Sequence, residues 1–249
     1  MKRHIRLVLV SAVLALSACE EEDKLPSFDP VELSIMAKVS DLRNTESEIR
    51  NQAMDALVQH GARAVPRIIP LLSEQNAALR NRAAQVLGRM GAEAKEAVPA
   101  LVGRLKARDE AMVVSALGAI GQIGEAAGEA VPELTAMIRD PRVHKETKRH
   151  VGRAIVNIGG PSVPALIEAL EDDDPGYRYG AARALSRMGM DAEPARPALE
   201  KAKNDPDQKV RFWARKTLSW LDGEKEKTAR AASQPKGSAS VPPQERLAR

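Results

Sequence analysis

Residues 79–101 read LRNRAAQVLGRMGAEAKEAVPAL, and the fold follows from how this stretch recurs along the chain. Its Pro99 is one of a series at positions 66, 99, 132, 164 and 197, spaced by 33, 33, 32 and 33 residues. Two residues after each proline stands Ile68, Leu101, Leu134, Leu166 or Leu199. Its Gly91 belongs to a second series, Gly61, Gly91, Gly124, Gly159, Gly189 and Gly223. Four residues before the first five glycines lie Leu57, Leu87, Ile120, Ile155 and Leu185, and eight before them Ala53, Ala83, Ala116, Val151 and Ala181. The last unit matches with a one-residue shift, through Leu218 and Ala214. Such self-similarity marks a repeat architecture.

One unit shows the physics. Pro99 suits the first turn of a helix, where its missing N–H is not needed. Polar Arg108-Asp109-Glu110 break the apolar run, and Met112 to Ile123 places apolar residues at helical spacing. Gly124 then suits a left-handed helix terminus. Each helix carries one apolar face that it cannot bury alone, so neighbouring units must stack. The prediction is all-α: an α-solenoid of six helix–turn–helix units at roughly 30–61, 62–91, 92–124, 125–159, 160–189 and 190–223. The first unit lacks a recognisable proline start, and the third has Val113 where others have a basic residue.

The pattern of an apolar-Arg pair, Ala-Ala-x-x-Leu-Gly-x-Met/Ile-Gly and Val-Pro-x-Leu resembles the short HEAT-like repeats named after phycobilisome lyases. It recurs as Tyr177-Arg178, Ala181-Ala182, Leu185, Gly189, Pro197 and Leu199. Ankyrin repeats share the length, but their Thr-Pro-Leu-His signature is not present, and most units lack the aromatics of tetratricopeptide repeats. The resemblance is specific for fold and weakly specific for function.

The ends read differently. Lys2, Arg3 and Arg6, an apolar run from Leu7 to Leu16, and small Ser17-Ala18 have the layout of an export signal over residues 1–18. Leu16-Ser17-Ala18-Cys19 resembles the lipobox of bacterial lipoproteins, which implies lipidation of Cys19. Cys19 is the only cysteine, so it has no internal disulfide partner. Residues 19–29, with the acidic run Glu20-Glu21-Glu22-Asp23, read as a tether holding the solenoid (30–223) close to a membrane. Glu20 is not the aspartate typical of inner-membrane retention, which favours the outer membrane where there are two. Residues 224–249, poor in large apolar residues, read as a disordered basic tail.

The net charge of +4 is a property of the ends. The signal carries +3, residues 224–249 carry +3, and residues 19–223 are left at −2. Charge therefore gives no support to nucleic-acid binding.

Candidate site residues fall into two sets. Arg50, Arg80, Lys148, Arg178 and Arg211 occupy one repeated basic position. In HEAT-like families this residue orders the stack through an acidic residue of an adjacent turn, here Asp109, Asp140, Asp172 or Asp205. Arg82, Arg89, Arg153, Arg183, Arg187 and Lys216 lie off the core side of the second helices, with Tyr179 and Trp213 on the same turns. They form a candidate binding stripe for a protein or an acidic envelope component. Tyr177 and Phe212 read as core and Trp220 as a cap on the last layer. Among His4, His60, His144 and His150 none has the His-Glu pairing of HEAT-type hydroxylases, and no metal or cofactor is expected. The leading expectation is a monomeric, membrane-anchored, non-enzymatic scaffold. The alternatives are a phycobilisome-lyase-like, chromophore-handling enzyme and a structural spacer.

Overall fold

The computed structural model describes residues 29–233. The expected signal, Cys19 and the tether up to residue 28 lie outside the described residues, as do residues 234–249. The chain divides into two compact units, residues 1–34 and 35–249. In the first, the Asp29 carboxylate accepts from the N–H of Val31 (2.9 Å) at the start of helix α1 (Pro30–Asp41). Pro30 thus opens the first unit's helix, in the role that no proline was expected to fill there.

Helices follow one another in pairs, a shorter first helix and a longer second one. The second helices are α2 (Ser47–His60), α4 (Ala77–Arg89), α6 (Glu110–Ile123), α8 (Lys145–Ile158), α10 (Pro175–Leu185) and α12 (Gln208–Ser233). Between them run the first helices α3 (Val65–Ile68), α5 (Val98–Arg104), α7 (Val131–Arg139), α9 (Val163–Ala169) and α11 (Arg196–Ala202). Each of these five has its series proline in the first turn. Among the described residues there is no strand. The leucine, isoleucine and alanine series read from the sequence form the core: Leu57, Leu87, Ile120, Leu185, Ala53, Ala83 and Ala116 are buried.

The turns between paired helices end on side chains that satisfy open helix N–H groups. Asp109 accepts from Ala111 and Met112, Asp174 from Gly176, and Asp207 from Lys209 and Val210. His144 does the same for α8, its Nδ1 accepting from Glu146 at 3.4 Å.

The repeat glycines correct one expectation. Gly61, Gly124 and Gly159 have φ of +56°, +71° and +73° with ψ near −140°, which is not the left-handed helical cap. It is a mirror-image extended conformation open to glycine. It turns the chain sharply into a 3₁₀ segment that leads into the next first helix, as in Gly124–Ala130 before α7. A second correction concerns the end of the chain. Gly223 does not close the last repeat; α12 runs through it to Ser233, ten residues into the stretch expected to be disordered. Glu224 and Lys227 pair along the helix (2.7 Å), and Lys225 reaches Glu193 (2.5 Å). These charges support helix where large apolar residues are lacking.

A paired substitution isolates the turn. A Cβ at Gly124 meets nothing nearer than 3.8 Å, so Gly124→Ala suffers only the dihedral strain, roughly 1–3 kcal/mol of lost stability. Gly118, inside α6 with nothing within 4 Å, is expected to gain about 0.5–1 kcal/mol on substitution by alanine. Urea unfolding of the two variants checks both signs.

Candidate functional site

The repeated basic residues act first on their own turns. Arg50 Nη1 donates to the carbonyls of Asn44 and Thr45 (2.9 and 2.6 Å), Arg80 to Glu74 and Gln75, Arg178 to Asp172 and Asp173, and Arg211 to Asp205 and Pro206. Each guanidinium therefore closes the turn five and six residues before it. Two also reach the next repeat: Arg80 meets Asp109 at 2.6 Å, and Arg178 holds Asp205 through Nε and Nη2 at 2.7 and 3.2 Å. The Arg80 guanidinium lowers the Asp109 pKa. Burial pushes the Asp205 carboxyl up, but the bonds from Arg178 and the Asp207 N–H outweigh it and leave the pKa below its ordinary value.

In the middle of the chain this ladder breaks. Val113 offers no donor, so Asp140 pairs instead with Arg142 of its own turn, and the two Arg142 contacts hold its pKa at about 2. Among the described residues Lys148 makes no turn hydrogen bond or ion pair and acts on Asp140 only through its charge; one ammonium cannot replace a planar fork with five donors. Asp172, one of the four aspartates named for the ladder, is taken by Arg139 (2.9 Å), which also lies 4.7 Å from the centre of the Tyr177 ring.

Beside that break lies a groove of about 600 Å³ between α8 and α10, floored by residues of α7 and α9. Six cationic side chains line it and no carboxylate does: Lys145, Lys148, Arg149 and Arg153 from α8, Arg183 from α10, and Arg187 from the turn just after α10. Arg149 pairs with Glu146 on its own helix (2.8 Å). The other five have no hydrogen bond or ion pair among the described residues. The floor is apolar, built from Val131, Ile138, Ile155, Val156, Leu166 and Ala169.

The position three before each repeat glycine accounts for the opening. It holds Val58, Gly88, Gly121, Val156 and Ser186. At Gly88 a Cβ would sit 3.0 Å from Ala119 Cα, and at Gly121 it would sit 3.3 Å from Ala154 Cα. Those two glycines let α4, α6 and α8 approach backbone to backbone. Val156 stands at the same place in α8, and α8 and α10 stand further apart, as α2 and α4 do at Val58. Residues 142–219, which supply most of the groove, and residues 39–113 and 65–145 before them, match a single family, HEAT repeats.

The chain belongs to the HEAT-repeat family.

Solved structures similar to it include the CpcE–CpcF complex of phycocyanin lyase from Nostoc sp. PCC7120, at 21% identity over 81% of this chain and 82% of that one, with a TM-score of 0.41. A designed armadillo repeat protein in complex with the peptide (KR)4 is 18% identical over 75% of this chain and 99% of that one (TM-score 0.43). Human deoxyhypusine hydroxylase in complex with glycerol is 18% identical over 76% and 84% (TM-score 0.41). Comparison with curated proteins finds no match.

Along the HEAT repeats the predicted binding stripe divides. Arg153, Arg183, Arg187 and Tyr179 come together in the groove. Arg82 does not: its Nη1 donates to the Leu42 carbonyl (3.0 Å), and burial, then the charge of Arg50, lowers its pKa. Arg89 is paired with Asp55 of the previous repeat at 2.6 Å. Trp213 and Lys216 sit one helix further on, Lys216 Nζ 4.7 Å from the indole centre. Phe212 is exposed (58%) rather than core, and packs edge-on to Trp213; Trp220 lies over Gly189 but remains 45% exposed. Lys145 and Arg149 joined the groove without a sequence reading that named them. The available signal was Val156 in the glycine position.

The ladder and the groove predict opposite mutational behaviour. Arg178 and Asp205 are 14% and 7% exposed, so Arg178→Ala strands a largely buried carboxylate and is expected to cost about 2–4 kcal/mol. Arg183→Ala removes an exposed, unpaired cation and is expected to change stability by less than about 0.5 kcal/mol; urea unfolding compares the two.

Acid tests the ion pairs together. Bonds from Arg196, then Lys225, hold Glu193 at about 2, and Asp140 is also at about 2, against ordinary values of 4.5 and 3.8. Their folded pKa values are depressed, so their stabilisation is complete above pH ~4.5 and lost as pH falls towards 2. The melting temperature is expected to drop across that window.

Proposed function

We propose that this HEAT-repeat chain is a non-enzymatic binding scaffold, held at a membrane surface through lipidated Cys19, which recognises an acidic partner in the groove between its fourth and fifth repeats. The observation that carries this reading is the groove itself: six cations and no carboxylate on an apolar floor. Five cations that make no hydrogen bond or ion pair among the described residues, with only Lys148 near a counter-charge (Asp140), favour an anionic ligand that neutralises them.

The groove's chemistry supports binding over turnover. Its polar lining is lysine, arginine, Thr135, Tyr177 and Tyr179, and burial pushes the Tyr177 phenol up, so it stays protonated near neutrality. Such a set holds and orients an anion. The lipobox resemblance at Cys19 and the signal-like first 18 residues supply the membrane half of the proposal, with the outer membrane favoured where two exist. Several acyl chains anchor stably where one binds only marginally.

The experiment is crosslinking and affinity capture from membranes of cells that carry the native protein. The chain is expected to fractionate with membranes, and Cys19→Ser to release it. Combined Arg153→Ala, Arg183→Ala and Arg187→Ala is expected to lose a captured protein that the parent retains. Soluble behaviour of the parent overturns the anchor. Unchanged capture by the triple variant overturns the groove.

A further inference from the structure

The groove's shape narrows the ligand, an inference that rests on the binding reading above. Its walls are two cationic rails. Lys145, Lys148 and Arg153 line one along α8; eight residues at 1.5 Å rise extend it over roughly 12 Å. Arg183 on α10, with Tyr179 a turn before it, and Arg187 in the turn that follows α10 line the other. Between the rails the floor is apolar.

Two glycines leave parts of the walls bare of side chains. Gly152 and Gly180 line the groove from the interiors of α8 and α10, and a Cβ at either meets nothing within 4 Å. Glycine weakens a helix interior relative to alanine. Neither position is crowded, so packing gives no reason for it, and both leave space where a ligand's backbone would run.

A ligand that fits must present anions to two sides and an apolar group to a third. A polyphosphate matches the rails and leaves the floor unmatched. An anionic lipid offers one headgroup to five cations, and a floor about 12 Å long leaves most of an acyl chain in water. An extended peptide meets all three requirements. In the polyproline II conformation side chains point in three directions, with about 3.1 Å rise per residue, so four or five residues span the rails. Two directions meet the rails, where arginine forks bind carboxylates bidentately, and the third meets the floor. We propose that the groove between repeats four and five holds an extended acidic segment of a partner protein, with an apolar side chain seated on the floor between flanking carboxylates.

The test uses the full chain in detergent and a fluorescein-labelled peptide, Glu-Glu-Leu-Glu-Glu-Leu-Glu-Glu, followed by fluorescence anisotropy. The peptide is expected to bind, to weaken with added salt, and to weaken at least about fivefold when its leucines become glycine. Arg183→Glu with Arg187→Glu is expected to weaken it at least about tenfold. Gly180→Leu, which leaves the charge unchanged and fills the groove, is expected to do the same, with both variants' circular dichroism spectra matching the parent. No peptide binding, or binding indifferent to both variants, overturns the peptide assignment. So does displacement by tripolyphosphate or by phosphatidylglycerol vesicles at peptide-equivalent charge, which reassigns the groove to phosphate or to a lipid surface. The broader reading fails separately: it falls if membrane capture of a partner survives the Arg183→Glu, Arg187→Glu pair, whatever the peptide does.

Discussion

Stacked helical repeats share one constraint: each second helix must lie against the next at a distance its facing side chains allow. In this chain that distance is governed at the position three before the repeat glycine. Gly88 and Gly121 permit backbone contact, and the helices on either side of them close up. Valine at 156 does not, and the joint between the fourth and fifth repeats stands open. In a solenoid each repeat touches only its neighbours, so such a change stays local and the flanking joints keep their packing. The groove is therefore a property of one joint.

Electrostatics sharpen the same boundary. On either side of the middle repeats arginines bridge turn to turn, Arg80 to Asp109 and Arg178 to Asp205. Where Val113 and Lys148 interrupt that series, Arg139 takes over one aspartate from the first-helix side and pins it beside Tyr177. The opposite side of the joint is left with cations alone. A fold usually disperses like charges or pairs them. Five unpaired ones around an apolar floor are best understood as half of an interaction.

Much of the fold was legible because the repeat writes its own punctuation. The proline series marked the first helices, and the leucine and alanine series marked the core, since both report backbone and burial requirements that every unit shares. What could not be read was specific to single units. That Arg82 turns back to the Leu42 carbonyl, and Arg89 to Asp55, depends on neighbours 40 and 34 residues away, which periodicity does not reveal. The long α12 escaped because its extension rests on charge pairing and not on an apolar face. Four members of the expected binding stripe do meet in the groove, yet the reason they meet, Val156, was visible as a missing glycine.

The most direct test of this account is a crystal structure of the Val156→Gly variant. If the side chain at 156 sets the joint, α8 and α10 come together until the backbone contacts resemble those at Gly88 and Gly121, near 3.0–3.3 Å from a projected Cβ, and the groove closes. A variant whose two helices keep their present separation contradicts it.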